Sequence, residues 1–95
     1  MISRKPLRQF WEKHPGAEEA IRGWFHEAKR ADWNSPNDVK RRYPSASFVA
    51  GDRVVFNIKG NKYRLIVAIK YDSGVVFIRF VGTHAEYDRI DAVEV

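Results

Sequence analysis

Residues 79–91, RFVGTHAEYDRID, gather two arginines, a histidine, a glutamate, a tyrosine and two aspartates into one short stretch. An imidazole can give or take a proton near neutral pH, and a guanidinium can grip a phosphate. Carboxylates could serve as bases or metal ligands, so spacing has to decide between these chemistries. Thr83 and Glu86 stand as T-x-x-E, the pattern in which a threonine hydroxyl and a glutamate cap the start of a helix reciprocally. Capping alone accounts for Glu86. Asp88 and Asp91 read as the solvated face of an acidic tail. With Thr83 as N-cap, His84 is the first helical residue and Tyr87 lies three further on, so the two project from neighbouring parts of one face. Each also has a plain reading, His84 as a surface residue and Tyr87 as core with its hydroxyl at the rim.

Metal chemistry has no support in the spacing. His14, His26 and His84 are far apart, the chain has no cysteine, and neither H-x-x-x-H nor an Asp-rich loop occurs. There is no G-x-S-x-G, phosphate loop or dinucleotide fingerprint. The sequence therefore predicts neither a metal nor a cofactor.

The elements that would position His84 and Tyr87 lie just upstream. RVVFNI, KYRLIVAIKY and VVFIRFV are rich in β-branched and aromatic residues and are punctuated by KGNK and DSGV, which predicts three strands joined by two hairpins. A turn at Gly60-Asn61 pairs Asn57 with Arg64, and one at Ser73-Gly74 pairs Ala68 with Arg79. Alternation then places Val54, Phe56, Ile58, Tyr63, Leu65, Val67, Ile69, Tyr71, Val76, Ile78 and Phe80 on one apolar face. The other face collects Arg53, Val55, Asn57, Lys59, Lys62, Arg64, Ile66, Ala68, Lys70, Phe77 and Arg79, with no acid. This register carries Arg64 to the level of Thr83, so Arg64, Arg79, His84 and Tyr87 are expected to converge at one end of the sheet.

The first half reads as helical. Leu7, Phe10 and Trp11 follow Pro6 at helical spacing, and Ile21, Trp24, Phe25 and Ala28 form one apolar stripe within a helix from Ala17 to about Ala31. A further helical turn takes Ser35 as N-cap and Pro36 as its first residue. The expected architecture is α+β, with N-terminal helices on one face of a small antiparallel sheet, a short C-terminal helix and the basic face left open. The 95 residues fit a single domain, 1–95. The N-terminus lacks the apolar core of a signal peptide, no run is long enough to span a membrane, and no cysteine calls for an oxidising compartment. A soluble, cytoplasmic protein without a membrane partner is expected.

Charge is distributed unevenly. Residues 1–44 and 51–81 each carry a net +4, whereas residues 82–95 carry −3, within a total of +5. Like charges on one sheet face repel, and a phosphate backbone would relieve them. Arg53, Lys59, Lys62 and Lys70 are therefore candidate nucleic-acid contacts, and Phe77 among them could stack on a base or pack under a loop. A plain solvated surface, a non-catalytic RNA-binding module and, last, a docking face for an acidic protein remain as alternatives. Lys40 to Tyr43, KRRY, fits a nucleic-acid contact but fits a solvated helix end better.

The segments NKYRL at 61–65 and THAEYD at 83–88, behind N-terminal helices, resemble the HigB-type toxins of bacterial toxin-antitoxin systems, in the RelE-like superfamily. The resemblance implies an mRNA interferase, an endoribonuclease needing no metal that cuts messenger RNA, typically in the ribosomal A site. It also implies control by a cognate HigA-like helix-turn-helix antitoxin, with DNA approached only through that partner. On this resemblance Arg64 matches an arginine that binds phosphate, and His84 lies where related toxins place an arginine or histidine. Related toxins place a catalytic tyrosine a few positions beyond Tyr87, and they open with a β-strand for which only MISR is available here. Attack of a 2′-hydroxyl on the adjacent phosphate would then use Arg64 and Arg79 on the phosphate oxygens, His84 for proton transfer and Tyr87 to orient the hydroxyl.

Overall fold

The computed structural model describes residues 2–60 and 62–95. Helix α1 (Lys5–Lys13) is followed by a 3-10 turn (Pro15–Ala17), α2 (Glu18–Arg30) and α3 (Pro36–Arg42). Strands β1 (Ser47–Val49), β2 (Arg53–Ile58), β3 (Tyr63–Lys70) and β4 (Val75–Thr83) then form an antiparallel sheet in sequential order, and α4 (His84–Tyr87) ends the ordered elements.

Local chemistry explains the boundaries. Proline lies in the first turn of both α1 and α3, where its missing N–H is not needed. Ser35 sits extended at the N-cap of α3, but it is Asp38 Oδ2 that accepts a backbone bond there, from Asn34 N at 3.0 Å. Helix α2 places Glu18 and Glu19 in its first turn and Lys29 and Arg30 in its last, matching the helix dipole at both ends.

The helices bury Leu7, Phe10 and Trp11 from α1, Ile21, Trp24 and Ala28 from α2, and Val39 from α3 against Val54, Phe56, Ile58, Leu65, Val67, Ile69 and Val76 of the sheet. The expected α+β layering is present. Strand β1 was not anticipated. It is three residues long and is set up by Gly51 and Asp52, both at positive φ, which turn the chain so that Val49 pairs with Arg53. Ile2 makes a parallel bridge to Val76 on the outer edge of β4, so among the described residues the expected N-terminal strand is reduced to one residue of pairing.

Register follows expectation between β2 and β3, where Asn57 faces Arg64. Asn61, half of the expected Gly60-Asn61 turn, lies outside the described residues. Between β3 and β4 the expected register is wrong. Lys70 pairs with Val75 and Ala68 with Phe77, because the loop is longer than two residues: the Lys70 carbonyl accepts from both Ser73 N and Gly74 N, with Gly74 at φ +72°. The pairing then shifts between Ile66 and Val67, where Val67 faces Ile78 and Ile66 faces Phe80, so that Arg79 is the extra residue of a β-bulge. Side-chain parity inverts there. Val81 packs against the helical core, and Phe80, expected in that core, joins the opposite face.

That opposite face is not fully open either. Val55, Ile66 and Ala68 are buried although they lie outside the core cluster. The C-terminal segment returns to this side, where Arg53 Nε and Nη2 donate to the Val95 carbonyl oxygen at 3.0 and 2.8 Å.

Candidate active site

Arg64 is held by the sheet. It sits on the central strand β3, its Nη1 donates to Asn57 Oδ1 on the paired position of β2, and its Cζ lies 5.5 Å from the centroid of the Tyr87 ring. A guanidinium over an aromatic face is stabilised by about 0.5–1 kcal/mol where solvent reaches it. The stack ties α4 to the sheet and keeps the phenol beside the cation.

Helix α4 begins with the full capping box that Thr83 and Glu86 predict. Glu86 N donates to Thr83 Oγ1 at 3.2 Å, and Thr83 N donates to Glu86 Oε1 at 2.8 Å. The Thr83 amide holds the Glu86 carboxyl below the usual carboxylate range, desolvation opposes this, and the Thr83 hydroxyl, His14 and Arg89 add to the lowering. A carboxylate fixed in that way is spent on structure. The first helical residue is pinned as well, since His84 N donates to the Lys62 carbonyl at 3.0 Å across the β2–β3 turn.

His84 is exposed, and its Nδ1 lies 3.1 Å from Asp88 Oδ2, one helical turn on. With Nδ1 carrying the proton toward the carboxylate, Nε2 is the nitrogen free to exchange a proton with a ligand. Asp88 is therefore not merely tail, and the correction comes from its i+4 spacing, which sequence reading had available. Asn57 stands opposite Arg64 as the hairpin register predicts, but its role as the acceptor that anchors the guanidinium was not foreseen.

The structure brings Arg64 and Tyr87 into contact and places His84 on the same short helix. Arg79 is set apart. The bulge puts it at the sheet edge beside Ile2, Ser3 and Pro6, lining a cavity of about 350 Å³. The level expected for Thr83 is taken by Gly82, which pairs with Arg64. Of the proposed RNA contacts, Lys62, Lys70 and Phe77 are exposed, Arg53 is engaged by Val95, and Lys59 Nζ donates to the Gly16 carbonyl at 3.0 Å. Among the described residues no three His, Asp or Glu side chains cluster as a metal site requires, and no helix is long and apolar enough to cross a membrane.

The chain is 30% identical over 95 residues, 98% of its length, to "mRNA interferase toxin HigB" of Escherichia coli strain K12, of which 91% is covered. It is equally similar, with the same coverage, to "mRNA interferase HigB" of Shigella flexneri. The protein of that name in Escherichia coli O6:H1 is 25% identical over 92 residues, 95% of this chain and 89% of the relative. Residues 17–90 match the model of the HigB toxin family, the RelE-like toxic component of a toxin-antitoxin system, and the chain belongs to that family.

Proposed function

We propose that this chain is an endoribonuclease that cleaves messenger RNA by attack of a ribose 2′-hydroxyl on its own 3′-phosphate. The supporting observation is the Arg64 guanidinium lying over the Tyr87 ring on a helix that also carries the His84–Asp88 pair. Arg64 takes the phosphate oxygens and stabilises the charge that builds on them in the transition state. Tyr87 orients the 2′-hydroxyl, and His84 Nε2 exchanges the proton. The new 2′-O–P bond forms as the P–O5′ bond breaks, leaving a 2′,3′-cyclic phosphate and a 5′-hydroxyl that receives a proton. Arg79 contacts a phosphate further along the strand, and Arg53, Lys59, Lys62, Lys70 and Phe77 guide the RNA. The nucleophile belongs to the substrate, so no metal-activated water is needed, and cleavage is proposed to persist in chelator.

The family places such toxins opposite an antitoxin. For this chain a cognate HigA-like helix-turn-helix antitoxin that occludes the site is proposed, with translated mRNA on the cytoplasmic ribosome as the working substrate. Induced expression in a bacterium with mapping of mRNA 5′ ends tests the reading. Growth arrest with new ends inside open reading frames, lost in Arg64→Ala, supports it. Unaltered ends in the wild type would leave binding without cleavage.

A further inference from the structure

We infer that Phe77 and Phe80 form a two-ring stacking track for the bases of single-stranded RNA, laid along β4 beside Arg64. The inference rests on the endoribonuclease reading and specifies how its substrate is held.

In a regular strand, residues three apart point to opposite faces. The extra residue at Arg79 cancels that alternation, so Phe77 opposite Ala68 and Phe80 opposite Ile66 share the face that carries Arg53, Arg64 and Lys70. The paired strands contribute no acid to this face. Phe77 is 47% exposed, the most exposed large apolar side chain of the sheet. A ring left in water between cations is unfavourable alone. It suits a polyanion whose bases cover rings while its phosphates meet the guanidinium and ammonium groups.

Phe80 is seated rather than loose. A Cβ built on Gly82 would lie 2.5 Å from Phe80 Cζ and 3.1 Å from Cε2, so the ring tip occupies the space that a side chain would fill. Gly82 is also the residue that faces Arg64 across the ladder, which puts the ring next to the proposed phosphate ligand.

Spacing selects the form of nucleic acid. Ala68 and Ile66 are two residues apart on β3, or about 7 Å at roughly 3.4 Å per residue. That is about twice the ~3.4 Å rise per base along a duplex strand. Bases seated on both rings cannot keep helical stacking, so the ligand is an unstacked single strand. Phenyl rings carry no hydrogen-bonding group, so the track holds bases without reading them.

A short fluorescent 2′-O-methyl oligoribonucleotide, which lacks the nucleophile and stays intact, is titrated with the full chain by anisotropy. A strand of the same length without bases is the control. Phe80→Ala should weaken binding of the base-bearing strand about 5- to 150-fold, and Phe80→Trp should restore it. The wild type should prefer the base-bearing strand, whereas the Phe77→Ala/Phe80→Ala variant should bind both strands alike. The wild-type comparison needs no folded variant. Equal wild-type affinity for the two strands, or a Phe80→Ala loss of the same size on both, overturns the track. Retained mRNA cleavage by Arg64→Ala would instead overturn the catalytic reading and leave the stacking result standing.

Discussion

His84 and Asp88 show what one residue can decide. If His84 Nε2 moves the proton, His84→Ala should slow mRNA cleavage about 10²- to 10⁴-fold while leaving the circular dichroism spectrum and melting curve unchanged. A folded His84→Ala protein that cleaves at the wild-type rate would remove the histidine from the mechanism. Asp88 pairs with the imidazole, so on the same reading it is a positioning residue. Asp88→Ala should lower kcat by less than His84→Ala does and leave KM near its original value, because ring orientation is lost but the binding groups remain. Nitrogen NMR of the His84 ring should show a single tautomer in the wild type and a mixture in Asp88→Ala. At this scale the sequence revealed the residue types and the helical spacing of His84 and Tyr87. The hairpin register also set Asn57 opposite Arg64, but alternation alone carries no sign that the Asn57 amide oxygen accepts from the guanidinium.

The bulge and the capped helix set what each element can present. Alternation along VVFIRFV is apolar at nearly every position, so the pattern reads equally well in either parity and hides an inserted residue. The register was therefore legible for β2 and β3, where basic and apolar residues alternate; against β4 it was displaced by two residues at the longer loop and changed parity at Arg79. The α4 cap was fully legible, because T-x-x-E names both of its partners. Its pH response follows from Glu86, whose carboxyl lies below its ordinary value of 4.5 in the folded chain. A group depressed in this way contributes stability that is fully present above its unfolded pKa and is lost as pH falls through the folded one. Amide exchange in α4 should accelerate as pH drops below about 4.5, after correction for intrinsic exchange. Glu86→Gln should remove most of that dependence. An identical pH profile in Glu86→Gln would mean that another group controls the helix.

At the scale of the whole molecule, two separate surfaces of the sheet carry stability and charge. Leu65 is fully buried between helices and sheet, and Leu65→Ala should cost about 2–5 kcal/mol in urea unfolding. Lys62 is exposed at the hairpin whose carbonyl holds His84 N. If it meets one phosphate, Lys62→Ala should flatten the plot of log affinity against log salt by about 0.7 for single-stranded RNA, without altering unfolding. An unchanged slope would take Lys62 off the RNA path. The layering of helices on sheet was readable from periodicity, whereas burial on the second face was not. Val55, Ile66 and Ala68 looked like the apolar remainder of an exposed surface, and only the return of the chain to Arg53 shows that part of it is shielded.

Helix α4 has four residues, too few for a helix to persist on its own in water. Its order is borrowed from the capping box, the His84 N to Lys62 bond and the stack of Arg64 on Tyr87. Opening it breaks those few contacts and leaves the core intact, so its free energy of opening lies well below that of global unfolding. Warming should thus disarm the toxin reversibly at temperatures where the domain is still folded, and cooling should rearm it without any refolding step.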